Sequence, residues 1–178
     1  MIKITYFVHG TTTDNEKDLA TGWLPGELSE LGRKQSIELG KAITQKFDAL
    51  FTSDLARAIV SAELAFGDKY KIMQDDRLRE ANYGDWNGKP HSFKDHMDDY
   101  IDNPFPNGES YFDVEVRVRE FCDALKKKYD GKHVAVLAHQ APQLALEVIL
   151  KGKTWRQAIA EDWRKTKAYK PGWEYIIT

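Results

Sequence analysis

Two short apolar runs, each ending at a histidine, constrain this chain more than any other feature. Ile2-Lys3-Ile4-Thr5-Tyr6-Phe7-Val8 leads into His9-Gly10, and His133-Val134-Ala135-Val136-Leu137-Ala138 leads into His139-Gln140. Both are too short for stable helices and rich in strand-forming residues, so they read as strands buried in a sheet. Ala49-Leu50-Phe51-Thr52 has the same character, and Lys71 to Met73 reads as a further short strand. Helical spacing separates the runs. Ser29 is placed to cap a helix carrying Leu31, Leu39, Ala42, Ile43 and Phe47, and Asp54 to cap another through Phe66. Ser110 opens a long helix to about Tyr129, and residues 140–150 are helical, with Pro142 tolerated in the first turn. Residues 11–28 read as a long surface loop, and residues 74–110 as irregular chain with one short helix near Phe93 to Ile101. Pro171-Gly172 predicts a turn in a terminal hairpin over residues 164–177. Alternating strands and helices imply an α/β fold: a three-layer sandwich whose central sheet is mostly parallel, with helices on both faces.

The length, 178 residues, suits one domain spanning residues 1–178. Lys plus Arg number 26 against 28 Asp plus Glu, a net charge of −2, which argues against a nucleic-acid or anionic-membrane partner. The single cysteine, Cys122, cannot form an internal disulfide and fits a reducing compartment. The first residues lack the apolar core of a signal peptide, and no run approaches the ~18 apolar residues of a membrane span. The expectation is a soluble, cytoplasmic protein whose oligomeric state the sequence leaves open.

In open sheets of this kind ligands bind beyond the carboxyl ends of the strands. His9-Gly10-Thr11-Thr12-Thr13-Asp14-Asn15 follows the first strand, and Ser53-Asp54-Leu55-Ala56-Arg57 the second. Leu78-Arg79-Glu80 follows the third, and His139-Gln140 follows the run ending at Ala138. Two histidines, an arginine, an acid and several hydroxyl or amide donors would meet at one edge. Such a set suits an anion, with helix N-termini and Arg57 supplying positive potential and Gly10 permitting close backbone approach. Taken singly, these residues have plainer readings: His9 a turn histidine, Arg57 a solvated helix residue, Asn15 and Thr12 turn formers. His91, His96 and His133 match no metal-ligand spacing, and Lys126-Lys127-Lys128 suits a helix C-terminus. Thr11-Thr12-Thr13 is followed by no Gly-Lys-Ser/Thr, which excludes a P-loop.

The ordered set His9-Gly10-Thr11-Thr12…Asn15, Thr52-Ser53-Asp54-Leu55…Arg57-Ala58, Leu78-Arg79-Glu80…Tyr83-Gly84-Asp85-Trp86…Gly88, Asn107-Gly108-Glu109-Ser110…Arg117 and Val136-Leu137-Ala138-His139 resembles the histidine phosphatase superfamily, the phosphoglycerate mutase-like group. Thr21-Gly22-Trp23…Leu28-Ser29…Gly32 is similar to that group's substrate loop and following helix. The resemblance implies a metal-independent phosphatase, without cofactor, that hydrolyses a small phosphorylated metabolite through a phosphohistidine on His9. It makes Glu80 the general acid and base, and has Arg57, His139 and Asn15 hold the phosphoryl oxygens, His139 best when protonated. Thr12, Gly10, Thr21 and Gly22 join the substrate-binding set.

Two positions depart from the pattern. Val8 stands where the family writes the arginine of Arg-His-Gly, and Gln140 where it usually has glycine. Loss of one such charge-stabilising donor typically costs ~2.7–4 kcal/mol, about 10²–10³ in rate. The departure at Val8 implies slow catalysis, replacement by another cation (Arg79, Arg117 and Lys89 being candidates), or binding without catalysis. The alternatives are thus a weak or inactive phospho-ligand-binding protein on the same scaffold, or a phosphoglycerate-mutase-like phosphotransferase. A metal-dependent hydrolase using His9, His139, Asp54 and Glu80 finds no supporting spacing.

Overall fold

The computed structural model describes residues 1–166 and 172–178. In chain order the elements are β1 (Ile2–Val8), α1 (Thr13–Glu16), β2 (Leu19–Ala20), α2 (Glu30–Ala42), β3 (Ala49–Thr52), α3 (Ala56–Phe66) and β4 (Ile72–Gln74). They continue with β5 (Lys89–Pro90), α4 (Tyr111–Lys128), β6 (His133–Ala138), α5 (Gln140–Lys151), α6 (Trp155–Ala160), α7 (Trp163–Thr166) and β7 (Trp173–Ile177). The central sheet has the order β4-β3-β6-β1-β7. All its pairings are parallel except β1 with β7.

Period-two alternation decides which residues meet which helix layer. From β1, Ile4 and Tyr6 join Val134, Val136 and Phe51 in a core completed by Val114, Val118 and Phe121 of α4 and Leu144 and Ala145 of α5. On the other face Phe7, Leu50, Ala135 and Leu137 pack with Ala62, Ala65 and Phe66 of α3, and Leu39 of α2 closes that cluster. These buried strand residues explain why the apolar runs are nearly continuous: both faces of the sheet are covered.

The differences from expectation have physical causes. Ser29 does cap α2, accepting from the Gly32 N–H, but the helix ends at Ala42 and Leu31 is exposed. The face turned inward carries Gly32, Ser36 and Gly40, small residues four apart that let α2 approach closely. A Cβ on Gly40 would lie 2.1 Å from the Ala65 carbonyl oxygen of α3. Asp54 caps nothing; Leu55 holds the N-cap position of α3 without a side-chain bond, and Asp54 pairs with Arg79 instead. Residues 11–28 are more than a surface loop, since they contain α1 and β2, bury Thr12, Ala20, Thr21 and Leu28, and pair β2 with β5. In residues 74–110 a short 3-10 turn, Met97–Tyr100, replaces the expected helix. Ring contacts hold that segment, with Tyr100 stacked on Phe105 at 3.9 Å and Phe93 edge-on to Phe105 at 4.8 Å between centroids. Of the expected terminal hairpin, residues 163–166 are helical and β7 pairs with β1. Residues 167–171, with Pro171 of the expected turn, lie outside the described residues. Among the described residues no helix is long and apolar enough to cross a membrane.

Candidate active site

The register of β1 on β6 sets the centre of the site. Val8 pairs with Ala138, so His9 and His139 leave the same sheet edge side by side. Their ring centroids are 5.1 Å apart, with the planes at 60°. Both imidazoles are anchored from behind. His9 Nδ1 donates to the Gly10 carbonyl at 2.7 Å, so the neutral ring keeps its lone pair on Nε2. His139 Nε2 lies 2.6 Å from Ser53 Oγ, and its main chain is held by Tyr6, whose hydroxyl donates to the His139 carbonyl and accepts from the His139 N–H. With Ser53 donating to Nε2, the ring proton sits on Nδ1. That buried nitrogen has no hydrogen-bond partner among the described residues.

Burial, and after it the charge of Arg57, pulls His9 down from 6.5 to about 3. The same two causes push His139 well below its ordinary value, so the ligand-free site holds two neutral rings. The protonated His139 implied by the family pattern therefore needs the negative charge of a bound anion. NMR titration of the ligand-free protein should show the His9 imidazole neutral throughout about pH 5–8. A midpoint near 6.5 for His9 would contradict the buried geometry.

Arg57 lies in the first turn of α3 and is 2% exposed. Its Nη2 donates to the Gly22 carbonyl at 2.7 Å and its Nη1 to the Leu24 carbonyl at 2.9 Å, so the guanidinium ties down the loop after β2. Gly22 fits this arrangement through its φ of +55°. Glu80 arrives from the 3-10 turn Asp76–Leu78 that follows β4. Its carboxylate meets the start of α5: Oε1 accepts from the N–H groups of Ala81 and Ala141 at 2.9 Å, and Oε2 from that of Gln140 at 3.2 Å.

A cavity of about 710 Å³ opens over these groups, and His9, Gly10, Arg57 and Glu80 line it together with Asn15, Thr21 and Gly22. Asn15 Oδ1 is taken by the Thr12 N–H, which leaves its Nδ2 as the donor for a ligand. Thr12 is the exception among the expected substrate-binding residues. It is fully buried, and its hydroxyl caps α1 by accepting from the Asn15 N–H, so it orders Asn15 instead of lining the cavity. Gly10 has a structural demand beyond room for a ligand, because a Cβ there would lie 2.3 Å from the Gly32 carbonyl oxygen of α2.

None of the three cations expected as stand-ins for the motif arginine lines this cavity. Arg79 pairs with Asp54 and lies over the Trp23 ring at 4.6 Å. Arg117 donates to the carbonyls of Arg77, Arg79 and Glu80 and to Glu109, bracing the segment that carries Glu80. Lys89 is exposed on β5 and lines a separate hollow with Asp85 and Trp86. Val8 itself lines the main cavity. Sequence reasoning missed Tyr6 and Ser53 as supports of His139, and missed Trp23, whose Nε1 donates to the Glu80 carbonyl. Ser53 stood beside Thr52 at a strand end and could have been singled out. Tyr6 carried no signal, because a tyrosine inside a strand reads as core.

The chain as a whole has counterparts among known proteins. The family model described as the histidine phosphatase superfamily, branch 1, matches residues 6–169. The chain belongs to that superfamily. Among relatives of this histidine phosphatase superfamily member is phosphoserine phosphatase 1 of Hydrogenobacter thermophilus, 27% identical over 163 residues that cover 85% of this chain and 77% of the relative. A 2,3-bisphosphoglycerate-dependent phosphoglycerate mutase of Rhizobium meliloti is 31% identical over 169 residues, covering 85% and 80%. The solved structure of a mycobacterial glucosyl-3-phosphoglycerate phosphatase superposes with a TM-score of 0.78 at 27% identity, covering 89% of this chain and 83% of that one. The superfamily member thus shares its mostly parallel sheet and surrounding helices with phosphoglycerate mutase-like proteins.

Proposed function

We propose that this chain is a metal-independent phosphatase that hydrolyses a small phosphomonoester through a phosphohistidine on His9. The observation that carries the reading is the fixed His9 tautomer: Nδ1 is bound to Gly10, so Nε2 is unprotonated in a cavity that Arg57 makes positive. In the first step Nε2 attacks phosphorus, the N–P bond forms as the P–O bond to the leaving group breaks, and Glu80 gives its proton to the departing oxygen. In the second step Glu80 takes a proton from water, the water oxygen attacks phosphorus, and the N–P bond breaks. Inorganic phosphate leaves and His9 is restored. Glu80 Oε2, with one long bond at 3.2 Å, is the oxygen with room to carry the proton. Arg57, His139 Nδ1 and Asn15 Nδ2 hold the phosphoryl oxygens. Phosphoryl transfer needs mainly positioning and charge stabilisation, and these side chains supply both. Relatives named as phosphatases of phosphoserine and of a phosphorylated glyceric acid derivative support a small phosphorylated metabolite as the substrate class.

Hydrolysis of an aryl phosphate in the presence of a chelator tests the reading, and activity should persist. Glu80→Gln should slow an alkyl phosphate far more than an activated aryl phosphate, whose leaving group scarcely needs a proton. Equal losses on the two substrates would remove Glu80 from the acid role.

A further inference from the structure

The two departures from the family pattern, Val8 and Gln140, meet in one structural device. Asp162, between α6 and α7, is 3% exposed. One of its carboxylate oxygens accepts from the Gln140 side-chain amide. The other accepts from the Arg164 main-chain N–H at 3.1 Å and from Arg164 Nη1 at 3.0 Å. The Arg164 guanidinium also lies 4.8 Å from the centre of the Trp163 ring. Arg164 lines the same cavity as Val8, His9, Arg57 and Gln140. Glycine at position 140 would have no side chain to reach Asp162.

We propose that Arg164 supplies the phosphate-binding cation absent at Val8, with Asp162 and Gln140 as the residues that position it. A guanidinium has five N–H donors, and the bond to Asp162 occupies one nitrogen, leaving the rest of the fork for an anion. The charge acts where this assignment requires, because Arg164 contributes to holding both His9 and His139 below their ordinary values. The arrangement also explains why Arg79 and Arg117 can be spent on structural ion pairs: the cation comes from the C-terminal part of the chain and not from the segment after β4. Asp162 offsets part of the positive charge that Arg57 and Arg164 would otherwise concentrate beside two imidazoles. The assignment rests on the phosphatase reading above for its catalytic consequence, but not for anion binding.

The test measures turnover of p-nitrophenyl phosphate and the affinity for orthovanadate. Arg164→Ala should lower kcat/KM by roughly 10²-fold, the scale of one lost donor to a developing charge, and weaken vanadate binding in parallel. Added guanidinium ion should restore part of both losses, which a structural role for Arg164 would not allow. Val8→Arg alone should be neutral or harmful through crowding, yet in the Arg164→Ala background it should recover at least a tenth of the lost activity. Gln140→Ala should weaken vanadate binding in the wild-type background and add nothing once Arg164 is gone, the non-additivity expected of a positioning residue. Arg164→Gln keeps a donor for Asp162 without the charge, and serves in place of alanine if that variant does not fold. Arg164 variants within threefold of wild type in both measurements would overturn the proposal, as would a double variant that recovers nothing. A wild type that fails to turn over substrate but loses vanadate affinity with Arg164 would overturn the phosphatase reading and keep this one.

Discussion

His9→Ala should reduce phosphomonoester hydrolysis to the uncatalysed rate and abolish labelling of the protein by substrate phosphorus. Of the two imidazoles at the sheet edge, His9 lines the cavity with Nε2 open, whereas His139 is fully buried with its Nε2 at Ser53. Binding should suffer much less. Arg57 and the donors around it remain, and one hydrogen bond to the anion is worth about 0.5–1.5 kcal/mol, so affinity for inorganic phosphate should stay within about tenfold of wild type. Rapid-quench labelling and phosphate titration measure the two effects. Residual turnover with a labelled protein would move the nucleophile to another residue. The same variant carries a stability signature. His9 titrates near 6.5 in the unfolded chain and is lowered to about 3 in the fold, so between those pH values the unfolded chain binds more protons and stability rises with pH. Wild type should therefore lose stability relative to His9→Ala as the pH falls from about 6.5 toward about 3, while the difference stays constant above that window. Denaturant melts across that range check the sign.

Arg57→Ala should lower kcat by about 10²–10³, the cost of one preorganised donor to the transferring group, and raise KM as well. The second effect comes from the loop. The carbonyls of Gly22 and Leu24 lose their guanidinium partner, and Thr21 and Gly22 belong to the cavity wall. Arg57→Lys should resemble alanine more closely than wild type, since an ammonium keeps the charge but cannot supply a planar fork to a phosphate and two carbonyls together. Both imidazoles report independently on the change. Arg57 is the leading charge that depresses them, so His9 and His139 should each titrate at higher pH in Arg57→Ala. Steady-state kinetics and NMR titration provide the check. Unchanged histidine titration would mean that Arg57 does not govern the potential at the site.

Much of this arrangement was legible from local pattern, because local pattern is what burial and main-chain hydrogen bonding act on. β1, β3, β6, α4 and α5 follow from apolar runs, helical spacing and caps such as Ser110, whose side chain accepts from the Asp113 N–H. The edge holding His9, Arg57, Glu80 and His139 followed from the rule that strand ends carry ligands in a parallel sheet. The errors fall where a residue's partner is remote in sequence. Leu31 fitted the helical spacing, but α2 turns Gly32 toward the Thr11 backbone and Gly40 toward α3, and leaves Leu31 exposed. Asp54 resembled a cap until Arg79, 25 residues away, took its carboxylate. Arg164 was overlooked because nothing around it in the chain marks it for an anion site.

The sequence by itself determined that strands and helices alternate, that histidines stand at the ends of two strands, and that valine precedes the first of them. Those are properties of residue type and spacing, and no fold is needed to read them. Tertiary structure alone decided which nitrogen of His9 is free, since that depends on the Gly10 carbonyl turning back onto Nδ1. It alone decided that Thr12 orders Asn15 instead of lining the cavity, that Arg79 and Arg117 are held in ion pairs, and that Lys89 lines a separate hollow. And it alone brought Arg164 to the cavity through Asp162 and Gln140. A polar group's role is set by the partner that satisfies it. For His9 and Thr12 that partner is a chain neighbour whose choice depends on backbone conformation, and for Arg79 and Gln140 it lies more than twenty residues away.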